Sequence, residues 1–233
     1  LAGRFDLARW GQRPTAQPHH TASAVALVGG GSPPRPGEIS LAHHGVLFLD
    51  EFPEFARGAL EALREPLETG TITIVRAARR AEFPARFQLI AAMNPCPCGY
   101  LGSTGKLSGP LLDRIDLHIE VSSLSAEELL TAPPGESSAS IAARSLAARE
   151  RAMARQGCTN AQLQGRAIDV HIEVAAEART LLHKAATRLG WSGRGTHRTL
   201  KIARTVADLA SSTAVQASHV AEAIQYRRVL KDP

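Results

Sequence analysis

Long apolar runs and cysteines are both scarce in this sequence of 233 residues. No run approaches the roughly 20 apolar residues that a membrane-spanning helix requires. No basic segment followed by an apolar one resembles a secretory signal at the N-terminus. The three cysteines are an odd number and too few for the disulfide framework of a secreted protein. We therefore expect a cytoplasmic protein with no membrane partner.

The phosphate-binding loop of many nucleotide hydrolases is also missing from the sequence. No Gly-x-x-x-x-Gly-Lys-Ser/Thr motif occurs. The nearest candidate, at residues 102–106, has too short a loop and is followed by Leu107 rather than Ser or Thr. We therefore expect this chain alone to bind ATP weakly or not at all.

Residues 45–51, Gly-Val-Leu-Phe-Leu-Asp-Glu, form the most informative segment of the sequence. Four consecutive apolar residues predict a buried strand of a parallel sheet, and Asp50 and Glu51 follow at its carboxyl end. Ligands of α/β proteins bind at that edge, and two buried acids are costly unless a cation, donor or substrate meets them. Two interpretations are open: a strand that delivers two acids to a site, or one that ends in a solvated turn.

Glycine, proline and short apolar runs divide the rest of the first half of the chain. Residues 1–40 contain many breakers, which exclude long elements, and the triple glycine at 29–31 predicts a flexible loop. The later patterns predict a helix at 54–68, a β-hairpin at 71–84, a strand at 87–93, a short helix at 107–113 and a third strand at 117–121. We therefore expect an α/β domain.

Asn94 and Arg114 are further polar candidates in this half. Pro95 ends the second strand, so Asn94 is expected at a carboxyl edge, as Asp50 is. An amide there can position water or a γ-phosphate oxygen. In an Asp-Glu pair, the first acid can hold Mg²⁺ and the second can orient or deprotonate the attacking water. An oligomer could present the planar guanidinium of Arg114 to the nucleotide of a neighbour.

Basic residues are concentrated in the second half of the chain. Residues 1–121 carry 12 basic and 12 acidic side chains, whereas residues 122–233 carry 15 and 10, so the whole net charge of +5 lies there. The segment 179–204 contains seven cations and no acid, which is typical either of a phosphate-facing surface or of a solvated helix face. Helices are predicted at 137–156, 178–189, 194–209 and 218–229. We therefore expect an all-helical domain after a boundary near residues 122–135.

Several motifs, taken together and in order, resemble one family. They are Pro-His-His-Thr-Ala-Ser at 18–23, Val-Gly-Gly-Gly at 28–31, Pro-Gly-Glu-Ile-Ser-Leu-Ala-His at 36–43, the strand at 45–51, Ala-Ala-Met-Asn-Pro at 91–95, Leu-Ser-Gly-Pro at 107–110 and Leu-Asp-Arg-Ile-Asp at 112–116. This order is similar to that of the Mg-chelatase-like AAA+ ATPases, in particular the competence-associated ComM/YifB branch. The resemblance covers residues 18–230.

The resemblance implies a division of the chain and a set of site residues. It implies an N-terminal remnant at 1–17, an AAA+ α/β core at 18–121 and a helical lid at 122–233. The family P-loop should precede Pro18, so a segment between residues 8 and 18 is expected to be absent from this chain. The implied site residues are Asp50 and Glu51 as the Walker B pair, Asn94 as sensor 1, Arg114 as a trans-acting arginine finger, and Arg194 as sensor 2, with Arg198 on the same acid-free helix.

The resemblance also implies a hexameric ring that uses ATP and Mg²⁺ to work on DNA, such as branch migration during recombination or transformation. Two alternatives are a motor subunit for magnesium insertion into porphyrin and a non-catalytic assembly module that has lost its P-loop.

Two further groups of residues follow from the same resemblance. The hairpin at 71–84 matches the presensor 1 hairpin, so Arg76, Arg79 and Arg80 are candidate contacts with a nucleic-acid backbone, the alternative being a solvated tip. Cys96 and Cys98 form at most half of a zinc site, and a role without metal is favoured.

Overall fold

A computed structural model describes residue 7 and residues 10–76, 79–94 and 107–228. The chain forms two compact units, one ending at Ile115 and the other beginning at Asp116. The predicted bounds of the remnant, core and lid stay predictions. The tip of the predicted hairpin at 77–78 and the pair Cys96 and Cys98 lie outside the described residues.

The first unit is built from short strands and short helices. In chain order they are β1 (Thr15–Ala16), α1 (Ala24–Val28), β2 (Gly29–Gly30), β3 (Arg35–Pro36), α2 (Glu38–Leu41), β4 (Val46–Leu49), α3 (Arg57–Glu61), α4 (Arg64–Thr69), β5 (Thr71–Arg76), β6 (Arg79–Pro84), β7 (Gln88–Ala91) and α5 (Gly109–Leu112).

A three-stranded parallel sheet, in the order β1-β4-β7, organises this unit. The central strand β4 has Leu47 and Leu49 fully buried, while Val46 and Phe48 are half-buried. Strand β7 runs in register with β4, so that Leu49 lies opposite Ala91. The predicted strands at 45–49 and 87–93 are therefore confirmed, and the residues that follow them meet at one edge of the sheet.

The prediction of a third strand at residues 117–121 is wrong. This segment is not a strand, and Leu117, Ile119 and Val121 are 47%, 67% and 87% exposed. Alternating apolar residues satisfy a strand pattern, but a strand also needs a neighbour to pair its backbone groups. The third strand is instead β1, which pairs with β4. Two residues between polar and proline-rich segments carry no periodic pattern that could predict it.

The triple glycine is also not the flexible loop that its composition predicts. Gly29 and Gly30 form β2 and pair antiparallel with Pro36 and Arg35. Gly29 has a φ of 106°, and a Cβ there would lie 2.3 Å from the carbonyl oxygen of Arg35. Glycine therefore permits a close approach of two backbones at this position.

The helix predicted at 54–68 forms as two short helices, α3 and α4. Pro66 has no N–H to donate to the carbonyl of Ala62, so a continuous helix would lose a hydrogen bond there. The chain instead begins α4 at Arg64, which puts Pro66 in a first turn, where a missing N–H costs nothing. Gly70 ends α4 as predicted, with a φ of 74°.

The hairpin and the core complete the first unit. Strands β5 and β6 pair antiparallel from Thr71 opposite Pro84 to Arg76 opposite Arg79, which confirms the predicted hairpin. Its Ile72 side chain is buried in a core shared with residues from α1, α2, β4 and α3. The sheet therefore rests on a single apolar cluster that holds β4 in place.

The second unit is helical. Its helices are α6 (Ala126–Thr131), α7 (Ser138–Gln156), α8 (Arg166–His171), α9 (Ala176–Arg188), α10 (Gly193–Leu209) and α11 (Ala217–Arg228). The four longest match the predicted helices, and the two six-residue helices are too short for a periodic pattern. None of the described helices combines the length and the apolar character needed to cross a membrane.

Capping explains why the long helices begin and end where they do. The side chain of Ser137 accepts a hydrogen bond from the backbone of Ser140 at the start of α7, and Gly157 ends that helix in the left-handed conformation. Ser192 caps α10 in the same way. The unit has its own apolar core, which includes Leu163, Ile168 and Val220. The predicted fold class, an α/β region followed by a helical one, is confirmed.

Candidate functional site

Asp50 and Glu51 lie immediately after β4, at the carboxyl edge of the sheet. Both side chains are exposed. Asp50 Oδ1 accepts a hydrogen bond of 2.9 Å from the backbone N–H of Glu51. Glu51 has φ 51° and ψ 43°, the left-handed conformation that residues other than glycine seldom adopt. The turn therefore points two neighbouring carboxylates into solvent through an unusual backbone geometry.

Asn94 lies at the same edge because backbone pairing continues beyond the two strands. Ala92 donates its N–H to the carbonyl of Leu49 at 2.9 Å, and the carbonyl of Ala92 accepts from the N–H of Phe52 at 2.9 Å. Two hydrogen bonds to Ala92 thus flank the Asp-Glu turn, and Asn94 follows Ala92 by two residues. Asn94 itself is exposed. The structure therefore brings these three predicted residues to one edge.

His20 also belongs to this edge. Its Nδ1 lies 2.7 Å from Oε2 of Glu51. The sequence analysis places His20 in a family motif and predicts no role for it at the Asp-Glu turn. The missing signal was β1: once this strand is known to lie beside β4, the residues that follow it are expected near Glu51.

The donor set at this edge suits Mg²⁺ that arrives with a nucleotide. The described residues contain no group of three or more His, Cys, Asp or Glu side chains that could hold a metal ion by themselves. Mg²⁺ is usually bound by one or two carboxylates, and waters and substrate phosphates complete its octahedron. The exposed oxygens of Asp50 and Glu51 fit that pattern, so either carboxylate could hold the ion.

Arg114 lies after α5 and is held within the first unit. Its guanidinium pairs with the carboxylate of Glu68 and donates to the carbonyl oxygen of Pro110 at 2.6 Å. Only 13% of the side chain is exposed. It borders a polar cleft of about 440 Å³ that is lined by Glu61, Arg64, Glu65, Glu68, Thr69 and Arg114. The predicted finger residue therefore lies among acids of its own unit.

Arg194 and Arg198 lie in the first turns of α10 in the second unit. Arg194 is exposed. Arg198 pairs with Asp116, with 2.8 Å between Nη1 and Oδ1, and only 16% of its side chain is exposed. Burial lowers the pKa of nearby Lys201, whose amino group donates to the carbonyl of Ala161. Part of the basic segment at 179–204 is therefore engaged within its own unit.

The hairpin carries the three basic residues predicted to contact nucleic acid. The backbones of Arg76 and Arg79 lie opposite each other at its end, and Arg80 pairs with Val75. The side chain of Arg80 is exposed. The positions of the three residues at one end of a hairpin agree with the sequence prediction of a basic tip.

Comparison with known proteins decides the family. The family model of the magnesium chelatase subunit ChlI matches residues 2–129, and that of the C-terminal region of ChlI matches residues 135–227. The chain belongs to the magnesium chelatase ChlI family. This membership confirms the resemblance that the motifs around the Asp-Glu turn indicated.

Individual relatives agree with the ChlI family assignment. Competence protein ComM of Haemophilus influenzae is 48% identical over 236 residues, which cover 95% of this chain and 46% of ComM. The uncharacterized protein YifB of Escherichia coli is 46% identical over the same shares. DNA replication licensing factor mcm6 of Dictyostelium discoideum is 34% identical over 90 residues, 36% of this chain and 10% of that protein. The chain spans about half the length of ComM and YifB.

Proposed function

We propose that the first unit supplies the hydrolytic half of an ATPase site. The observation that carries the proposal is the meeting of Asp50, Glu51 and Asn94 at one edge of a parallel sheet. The Walker B and sensor 1 roles that the family resemblance implies for these residues need that arrangement, because all three must reach the terminal phosphate of one nucleotide. Membership of the ChlI family supports it.

Each side chain has a distinct task in this proposal. Asp50 would hold Mg²⁺, directly or through water, and Mg²⁺ held there would supply positive charge beside the phosphates. Glu51 orients the attacking water and accepts its proton. Asn94 donates from its amide to the water or to a γ-phosphate oxygen. The residues of the chain thus position and deprotonate the water.

The proposal assigns the arginines to the negative charge that develops on the phosphates during hydrolysis. We assign Arg114 to the nucleotide of a neighbouring subunit, which requires that its pair with Glu68 opens on assembly. Arg194 and Arg198 of α10 are assigned to the phosphates. Arginine suits these roles because its planar guanidinium can donate two parallel hydrogen bonds to phosphate oxygens.

We further propose a cytoplasmic hexameric ring that uses ATP hydrolysis to work on DNA, such as branch migration in recombination or transformation. The name of ComM, a competence protein, and the partial similarity to a DNA replication licensing factor support this direction. A second candidate, a motor for magnesium insertion into porphyrin, is favoured by the name of the matching family. A non-catalytic assembly module that has lost its P-loop is a third candidate.

Replacement of Glu51 by glutamine tests the proposed ATPase site. The assay uses the full-length gene product, because residues 1–233 contain no P-loop motif and are expected to bind ATP weakly by themselves. Glu51→Gln keeps the size of the side chain and removes its basicity. We expect kcat for ATP to fall about 10²- to 10⁴-fold, while nucleotide affinity changes little. Steady-state phosphate release and binding of a fluorescent ATP analogue measure the two quantities.

The matched control is Glu54→Gln, which alters an exposed acid three residues further on. It should leave kcat unchanged. ATP hydrolysis at the wild-type rate by Glu51→Gln would contradict the assigned role of Glu51. A full-length gene product that neither binds nor hydrolyses ATP would favour the assembly module.

A further inference from the structure

The contacts of Arg114 fold its side chain back onto the first unit. Nη2 of Arg114 donates to Oε2 of Glu68, and Nη1 donates to the carbonyl oxygen of Pro110 at 2.6 Å. The side chains of Arg114 and Glu68 are 13% and 37% exposed. A guanidinium held in this way must leave these contacts before it can donate two parallel hydrogen bonds to a phosphate group outside the unit.

The backbone of Arg114 is held by the segment before it. Its N–H donates to the carbonyl of Leu111 at 2.9 Å, and the side chain of Ser108 accepts from the N–H of Leu111 at 3.3 Å. Leu111 is fully buried in the apolar core of the unit. A change of partner at Arg114 therefore falls to its long side chain and leaves the backbone in place.

The backbone of Glu68 is held as well, because α4 is anchored on both sides of it. Leu67 donates its N–H to the carbonyl of Leu63, which is fully buried, and Gly70 donates to the carbonyl of Pro66 at 2.9 Å. Glu68 thus presents its carboxylate to Arg114 from a fixed position at the end of the helix.

A second contact joins the same two parts of the unit. The hydroxyl of Ser108 donates to the carboxylate of Glu61 at the end of α3, and this hydrogen bond is the main reason why the pKa of Glu61 lies below its ordinary value. The closed arrangement of Arg114 is therefore supported at both ends of the polar cleft.

The charge of the cleft also favours the closed arrangement. Three carboxylates and two guanidinium groups line it, and Arg64 is paired with Glu61 at 2.8 Å. The carboxylates of Glu65 and Glu68 therefore attract Arg114. A nucleoside triphosphate carries more negative charge than one carboxylate and offers paired oxygens to a planar guanidinium. The phosphates of a neighbour can thus compete with Glu68 for this side chain.

We propose that Glu68 is an autoinhibitory latch on Arg114. In the closed state it holds the guanidinium inside its own unit, and it releases the guanidinium when the nucleotide of a neighbouring subunit offers its phosphates. The latch lowers the rate of hydrolysis in proportion to the fraction of molecules in which it is closed. This inference rests on the proposed role of Arg114 at the nucleotide of a neighbour.

The direction of the change in kcat distinguishes a latch from other roles of this pair. A latch slows hydrolysis, so its removal raises kcat. If Glu68 instead orients Arg114 for catalysis, its removal lowers kcat. A purely structural ion pair at a partly exposed site contributes little to stability, and its removal leaves kcat unchanged.

Variants of the full-length gene product test the proposal, at protein concentrations where the rate per subunit no longer changes. Glu68→Gln keeps the size of the side chain and removes its charge, and we expect kcat for ATP to rise about 3- to 10-fold. Glu65→Gln is the matched control, because it removes the same charge from the same helix and cleft, and it should leave kcat unchanged. Arg114→Ala should lower kcat about 10³-fold or more. In the double variant the gain from Glu68→Gln should disappear, because Glu68 acts through Arg114.

A second readout does not depend on turnover. Phenylglyoxal modifies accessible arginine side chains, and mass spectrometry of the nucleotide-free protein measures its rate at Arg114. The rate should be low in the wild type and in Glu65→Gln and higher in Glu68→Gln. Equal rates of modification in Glu68→Gln and the wild type would overturn the proposal. So would an unchanged or lowered kcat in Glu68→Gln, or an equal rise in Glu65→Gln.

The failure of this inference is distinct from the failure of the proposed function. If Arg114→Ala is inactive while Glu68→Gln has the wild-type rate, only the latch is wrong. If Arg114→Ala hydrolyses ATP at the wild-type rate, the role of Arg114 at a neighbouring nucleotide is wrong and the latch with it. The effect of Glu51→Gln tests the hydrolytic half of the site separately from both.

Discussion

Asp208 shows how a single buried charge is accommodated in the second unit. Its side chain is 1% exposed. Arg155 donates to both carboxylate oxygens at 2.7 and 3.0 Å, and Asn160 and Arg204 donate at 2.8 and 3.0 Å. Burial raises the pKa of Asp208, but the hydrogen bonds from Arg155 and Asn160 and the charge of Arg204 lower it below its ordinary value overall. The network thus stabilises the ionised form.

Replacement of this acid by asparagine should destabilise the second unit strongly. Asp208→Asn leaves the buried Arg204 without its charge partner, and the loss of one member of a buried ion pair costs about 3 to 5 kcal/mol. Because the folded-state pKa is lowered, the contribution of Asp208 is present above the pKa of the unfolded state, about 3.9. It is lost as the pH falls through the folded-state value.

Urea unfolding followed by circular dichroism measures both effects. The free energy of unfolding of the variant should lie well below that of the wild type near pH 7, and the gap should narrow as the pH falls below the unfolded-state pKa of about 3.9. Asp169→Asn changes an exposed acid of the same unit and should alter stability by no more than about 0.5 kcal/mol. An equal effect of both variants would contradict the role of the network.

At the scale of elements, the shortest strand of the sheet decides the geometry of the site. Strand β1 has two residues, and its contact with β4 depends on Gly45. A Cβ at Gly45 would lie 1.9 Å from the carbonyl oxygen of Pro14. This close approach lets Val46 bond to Pro14 and brings the segment that carries His20 beside the Asp-Glu turn.

Gly45→Ala should therefore separate β1 from β4. We expect a loss of about 1 to 3 kcal/mol, typical of forced overpacking, together with a weakened contact between His20 and Glu51. Gly58→Ala is the control, since a Cβ at this helical position meets nothing within 4 Å and should stabilise by about 0.5 to 1 kcal/mol. Thermal unfolding compares the two, and equal stabilities would contradict the importance of the close approach.

Whether a helix or strand could be predicted from the sequence depends on how many local signals its own residues carry. The strand that precedes Asp50 and the capped helix from Ser138 were predictable because several local signals agree within one segment. The contact of His20 with Glu51 was not, because it depends on β1, whose two residues leave no pattern. Residues 117–121 have the alternating apolar pattern of a strand but no partner strand to pair with. At Pro66 the missing backbone N–H divides a segment whose apolar spacing predicts one continuous helix.

At the scale of the whole molecule, the question is which substrate the proposed motor acts on. We expect the ATPase rate of the full-length gene product to rise with single-stranded DNA and this effect to fall steeply with salt, because phosphate contacts release counterions. A rate that rises only with a porphyrin-binding partner would favour the alternative. Replacement of Arg76, Arg79 and Arg80 by alanine should weaken DNA binding and reduce the salt slope by about one for each lost phosphate contact.

The control for this prediction removes the same charge from other places. Arg35, Arg149 and Arg166 are exposed outside the hairpin. Their triple replacement by alanine changes the net charge equally and should leave most of the DNA affinity intact. Fluorescence anisotropy at several salt concentrations compares the two triple variants. Equal losses would indicate general attraction between a basic protein and DNA rather than contact at the hairpin.

The left-handed backbone of Glu51 has a consequence for how this position can evolve. A side chain in that conformation costs roughly 1 to 2 kcal/mol relative to glycine, and the cost is greater for a β-branched residue. Selection for stability alone would therefore favour glycine or asparagine at position 51. The glutamate at position 51 therefore lowers stability where it stands, as is common where a side chain serves a functional site.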